Sequence, residues 1–187
     1  MNQNLTREYA IETYPWGGNY RPKTRAVLTV LPEKGLKITM TCRESDPRAV
    51  YDTPDSPVCE DSCLECFIQF YPDLTHSYIN FEVNANGCML SAIVPDRNNR
   101  TSLRSLGIRL PEVQVTGTSD EWEVSYLVSF ELVQKAYGQS ETFRPEILKG
   151  NFYKCGDKTT EPHYGCWAEV KTENPDYHRP EWFRRLL

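Results

Sequence analysis

Residues 78–87 read YINFEVNANG and continue into CMLSAIV at 88–94. Apolar and polar side chains alternate through the first stretch. Successive side chains of a strand point to opposite faces, so Ile79, Phe81 and Val83 are expected inward. Tyr78, Asn80, Glu82 and Asn84 are expected outward, on a half-wetted face. Asn86-Gly87 then supplies the short turn that folds 88–94 back as the next strand.

The same period of two recurs on both sides of this hairpin. Upstream, RAVLTVL (25–31), Leu36 to Cys42 and LECFIQF (64–70) read as strands. The first two are joined by Pro32-Glu33-Lys34-Gly35, which is turn chemistry. Downstream, WEVSYLVSF (122–130) and HYGCWAEV (163–170) read as strands too. Only FELVQKAY (130–137), closed by Gly138, has helical spacing. Thirteen prolines fall between the strand runs. Many short strands separated by turns predict an all-β, two-sheet antiparallel β-sandwich with few short helical turns. Segments 44–62, 95–106 and 171–182 read as long loops.

Composition excludes several function classes. The 187 residues carry 26 acids and 21 bases, a net charge of −5, with no basic stripe. Neither nucleic acid nor an anionic membrane is expected as a partner. No apolar run approaches the roughly 20 residues of a spanning helix. The N-terminal stretch MNQNLTREYAIETYPWGG has neither a basic start nor an apolar core, so no secretory leader is expected. Seven cysteines, an odd number, fit free thiols and a cytoplasmic location.

The motifs admit more than one chemistry. Cys59, Cys63 and Cys66 supply half a zinc set, but no second CxxC or paired His follows. Cys63 and Cys66 fall on opposite strand faces at their odd spacing. They are expected as small buried hydrophobes, with no metal and no cofactor. A thiol nucleophile would need Cys155 or Cys166 beside His163 or His178. Glu65 and Glu82 lie on neighbouring strands and could meet one ligand. That pair could serve a small glycoside hydrolase. Asn80, Glu82 and Asn84 in a row equally suit sugar hydroxyls, or form a plain wetted face. The stretches GNFYKCGD (150–157), PHYGCW (162–167) and NPDYHRPEWF (174–183) set aromatics among polar residues, which suits stacking on sugars. Trp182 and Phe183 are expected to anchor the C-terminal segment by packing.

VCEDSCLECFIQF (58–70), YINFEVNANG (78–87), KGNFYKCGD (149–157) and PDYHRPEWF (175–183) occur in the order seen in one family. The chain resembles the family 9-like carbohydrate-binding proteins, stand-alone bacterial relatives of the family 9 modules carried by xylanases. The resemblance runs from about Tyr20 to Leu187, leaving 1–20 as an N-terminal extension to a single domain over 1–187. It implies a DOMON-like, immunoglobulin-like sandwich that binds sugar without catalysis. It implies a neutral mono- or short oligosaccharide as ligand, and a carbohydrate-active enzyme as possible partner. An accessory domain of such an enzyme, or a small glycoside hydrolase, is the alternative. The expected ligand-binding residues are Glu65, Asn80, Glu82, Asn84, Tyr153, His163, Trp167, Asn174, Tyr177 and His178. Xylanase-borne modules clamp the sugar between two aromatics. The first clamp position falls on Cys59, so Tyr51 or Phe67 would have to substitute. The family usually carries Arg where Glu82 stands.

Overall fold

The computed structural model describes residues 5–187. In chain order the strands are β1 (Thr6–Ile11), β2 (Thr13–Gly17), β3 (Thr24–Leu31), β4 (Gly35–Cys42), β5 (Cys63–Gln69), β6 (Tyr78–Asn84) and β7 (Met89–Asp96). They continue as β8 (Asn99–Ser102), β9 (Gln114–Gly117), β10 (Trp122–Ser129), β11 (Lys149–Gly156), β12 (His163–Cys166) and β13 (Arg184–Arg185). The helix α1 spans Phe130–Tyr137. One sheet has the order β1-β3-β4-β10-β9, the other β2-β12-β11-β5-β6-β7-β8, with β13 on β11. Every pairing is antiparallel. The expected β-sandwich is therefore the fold.

The main core lies between the sheets. Leu28, Ile38, Met40, Val124 and Tyr126 of one sheet meet Leu64, Cys66, Phe81, Val83 and Phe152 of the other. These are the inward positions of the alternation, and burying them drives the sheets together. The short helix forms where expected. Ser129 Oγ accepts from Leu132 N–H at 3.1 Å, and Gly138 closes the helix at φ 63, a left-handed conformation suited to glycine.

Within the expected extension 1–20, Thr6–Ile11 joins one sheet as β1 and Thr13–Gly17 the other as β2, while residues 1–4 lie outside the described residues. Three expectations need correction. The run 163–170 ends as a strand at Cys166. The stretch 95–106 contains β8. Most consequentially, the face bearing Tyr78, Asn80, Glu82 and Asn84 is not wetted, since every residue of β5 and β6 is buried.

A second apolar cluster covers that outer face. Val58, Cys63, Phe67, Tyr78, Tyr153, Cys155, Tyr177 and Phe183 form it. The loops before β5 and after β12 fold over the sheet as a third layer. Polar contacts fix the first loop: the buried Asp61 carboxylate accepts from Val50 and Tyr51 N–H at 2.9 Å each and pairs with Arg48 at 3.2 Å. Trp182 and Phe183 pack against this layer, as their apolar character predicts.

Candidate functional site

The third layer is incomplete, and the gap is a cavity of about 370 Å³. Register builds its floor. Glu65 of β5 stands opposite Glu82 of β6 and Tyr153 of β11, and Cys63 stands opposite Asn84 and Cys155. Residues two apart on a strand share a face, so both rows point outward under the loops. Glu65, Glu82 and Cys155 line the cavity, with Cys59, Arg100, Asp157, Tyr164 and the segment Pro175–His178 around them. Asp157 N–H donates to Cys59 O at 3.0 Å, which ties the end of β11 to the turn before β5.

The upper wall is held from both sides. Tyr177 stacks on Tyr153, ring centroids 4.0 Å apart. Its hydroxyl sits 3.1 Å from the Lys154 and Gly165 carbonyls. Asp176 is gripped by Arg97 from the β7–β8 turn and by Arg179. Burial opposes ionisation of Asp176, but hydrogen bonds from Arg97 and Arg179 outweigh it and hold its carboxyl below the usual range. His178 Nδ1 lies 2.8 Å from the Tyr78 hydroxyl. Burial pushes His178 down to about 4, so its ring is neutral at pH 7.

The floor carries a proton at neutral pH. Burial raises the Glu65 carboxyl well above its ordinary range, and the neighbouring Glu82 raises it further. Burial lifts Glu82 to about 7, against the opposing pull of Asn80 and Arg100. Two carboxyls side by side cannot both ionise cheaply. The pair thus offers both O–H donors and carboxylate acceptors to a ligand.

Of the ten residues named from sequence, Glu65, Glu82, Tyr177 and His178 line the cavity. The other six stand apart from it. Asn80 is buried and donates to Glu82 Oε1 at 2.7 Å, so it positions that carboxyl. Asn84 spends its amide on Tyr51 O at 2.7 Å and Asp61 Oδ2 at 2.9 Å. Tyr153 is fully buried beneath Tyr177 and donates to its carbonyl at 3.2 Å. His163 is buried at 2.7 Å from Lys154 Nζ. Trp167 packs on Tyr9 of the main core, ring centroids 4.8 Å apart. Asn174 is exposed, just outside the wall. Neither proposed clamp substitute faces the cavity: Tyr51 bonds Glu60, and Phe67 is buried behind His178 at 4.9 Å.

Sequence reasoning missed Arg100, Asp157, Tyr164, Pro175 and Asp176 as lining residues, met Cys59 only in the half zinc set and as the non-aromatic clamp position, and weighed Cys155 only as a possible nucleophile. Cys155 and Asp157 sit in the stretch KCGD, but their place depends on β11 lying beside β5. Arg100 sits on a strand too short and too polar to alternate. It lines the cavity and its charge favours the ionised form of Glu82, whereas the resemblance puts the family's Arg at the glutamate's own position.

The sequence profile of carbohydrate-binding family 9 matches residues 1–187. The chain belongs to carbohydrate-binding family 9. Among solved structures, this family 9 chain is similar to a candidate carbohydrate-binding protein of Bacteroides uniformis. The two are 25% identical with a TM-score of 0.78, over 95% of this chain and 84% of that one. It is also similar in fold to a family 9 module of Caldicellulosiruptor kristjanssonii, solved in complex with glucose. There the identity is 12% and the TM-score 0.60, over 96% and 82% of the two chains. None of the curated proteins matches the chain. Family membership makes this a carbohydrate-binding chain by class, of a kind that serves as a binding module.

Proposed function

We propose that this family 9 chain binds a neutral monosaccharide, or the end of a short glycan, in the cavity floored by Glu65 and Glu82, and releases it unchanged. The carrying observation is the side-by-side carboxyl pair at the base of a cavity of about 370 Å³. That volume is near the lower bound of roughly 300 Å³ for small-ligand sites. The half-protonated pair matches hydroxyls, which both donate and accept. Arg100 adds a charged donor, and Tyr164 and His178 supply flat rings where the clamp position holds Cys59. The glucose complex of the similar family 9 module supports a hexose-sized ligand.

The reading without catalysis has its own support. Glycoside hydrolysis needs carboxyls placed around the scissile bond, one ionised while the other is protonated. Here Glu65 and Glu82 share one sheet face, and burial pushes both toward the protonated form. Both project from one face as direct cross-strand neighbours, rather than flanking a bond from two sides.

Calorimetry with glucose, other hexoses and their disaccharides tests this. Binding of at least one neutral sugar is expected. Arg100→Ala should weaken it about tenfold or more, since a charged hydrogen bond is worth roughly 1.5–3 kcal/mol. No uptake of any neutral sugar, or full affinity in Arg100→Ala and Glu82→Ala alike, would overturn the assignment. Release of free sugar from chromogenic glycosides, lost in Glu65→Gln, would favour a hydrolase instead.

A further inference from the structure

Beneath the cavity, Cys63 Sγ, Cys155 Sγ and a Glu65 carboxylate oxygen all lie within 4.8 Å of one another. We propose that these three residues form a binding site for one zinc-class divalent cation, a function beyond sugar binding that shares Glu65 with the cavity floor.

The placement follows from the sheet. Cys63 and Cys155 are direct partners across the antiparallel β5–β11 pair. Glu65 is two residues beyond Cys63, hence on the same outer face. All three are buried, with exposures of 0%, 1% and 2% for Cys63, Cys155 and Glu65. Rigid strands, not loops, carry every ligand atom, which is the arrangement a metal site needs.

The cluster lacks a cation. Among the described residues, the single hydrogen-bond donor to the Glu65 side chain is the Cys155 thiol, at 2.9 Å. The next group across the sheet is another carboxyl, Glu82. Lys154, the nearby strand lysine, points to the opposite side of the sheet and pairs with Glu44 at 3.4 Å. Buried acids are ordinarily paired with a base, bound to a metal or kept protonated, and at Glu65 a cation would take the place of the proton that burial retains. Arg100 lines the same cavity and acts on Glu65 only through space, without a hydrogen bond, so an acid grouped with two thiols fits the second case.

The donor set selects the ion. Two sulfurs and one carboxylate oxygen suit zinc, whose ligands sit at about 2.3 Å for sulfur and 2.0–2.2 Å for oxygen. A tetrahedron of that size sets its ligand atoms roughly 3.5–3.8 Å apart, so a cluster whose atoms lie within 4.8 Å of one another must draw in to hold the ion. Calcium and magnesium favour oxygen-only sets. Each thiol gives up its proton to solvent as its sulfur lone pair joins the ion, so affinity rises with pH. Cys155 and Glu65 line the cavity, which provides the entry path and leaves the fourth position open to water or a ligand oxygen.

The test uses the full chain, reduced and stripped by chelator, with zinc alone and no sugar. Its outcome therefore stands independently of the sugar-binding reading. Competition with a chromophoric chelator should show one zinc per chain with a Kd below about 1 μM. Cobalt(II) in its place should give a thiolate charge-transfer band in the near ultraviolet. Cys63→Ser and Cys155→Ser should each weaken zinc at least a hundredfold, and Glu65→Gln at least tenfold. Cys166→Ser should leave the affinity unchanged. If a cysteine variant fails to fold, the cobalt band of the wild-type chain and the Glu65→Gln effect decide. No zinc uptake by folded reduced protein, uptake without a thiolate band, or uptake indifferent to all three substitutions would overturn the proposal.

Discussion

Replacing Glu82 by Gln should stabilise the protein above neutral pH and leave it unchanged in acid. Glu82 is buried, and the folded chain lifts its carboxyl from 4.5 to about 7. The unfolded chain releases that proton near 4.5. Between these two values the unfolded state has fewer protons bound, so stability falls as pH rises through the window. At about 1.36 kcal/mol per tenfold, the loss reaches a ceiling of about 3 kcal/mol by pH 8. Gln keeps the essential contact, because its amide oxygen still accepts from Asn80 Nδ2, now 2.7 Å from Glu82 Oε1. It also relieves Glu65, whose carboxyl Glu82 pushes upward. The variant should therefore match wild type at pH 4 and exceed it by up to about 3 kcal/mol at pH 8. For a chain of this size that is roughly 6 °C or more in Tm. His163 and His178, both held down to about 4, cost stability as pH falls below 6.5. They do so in both proteins, so the difference at each pH reports the carboxyl pair and not the histidines. Urea unfolding followed by tryptophan fluorescence at pH 4, 6 and 8, in chelator, measures it. A difference that does not vary with pH, or a variant less stable at pH 8, would refute the argument.

Two further substitutions probe the third layer and its support. Tyr177→Phe keeps the stack on Tyr153 but removes the hydroxyl near the Lys154 and Gly165 carbonyls; it should cost about 1–3 kcal/mol in urea unfolding. Tyr177→Ala should cost about 3–5 kcal/mol, and an unchanged midpoint would show that the segment is not packed as described. Lys154→Met should cost about 3–5 kcal/mol. It strands the buried Glu44 carboxylate, which also accepts from Ser62 at 2.9 Å and Trp122 at 3.2 Å. A gain in thermal stability would mean that the methionine packs better than the ion pair.

Strand alternation made much of the sandwich legible. A period of two is a property of the chain alone, so β3, β4, β6, β7 and β10 could be located from it, and Ser129 and Gly138 bounded the helix. The sequence set Glu65 and Glu82 on neighbouring strands; the register of β5 on β6 made them direct partners. Alternation did not find β1, β2, β8, β9 or β11. Most of these strands are short or polar, and KGNFYKCG mixes Lys, Asn and aromatics without a clean period of two.

What lies above a sheet is a different matter, because long-range packing decides it. The outward face of β6 was read as wetted because its residues are polar. In the folded chain, Tyr177 and Phe183 arrive from nearly a hundred residues away and seal most of that face. Their coverage strips water from Glu65 and Glu82 and so forces a proton onto the pair. Neither effect is encoded in the local sequence of β5 or β6. Likewise, Cys63 and Cys155 are 92 positions apart in the chain and become neighbours only because β11 docks beside β5. The sequence by itself determined which side chains share a strand face and which family the chain resembles. The tertiary structure decided which of those faces is dry, which groups meet on it, and therefore which chemistry the cavity holds.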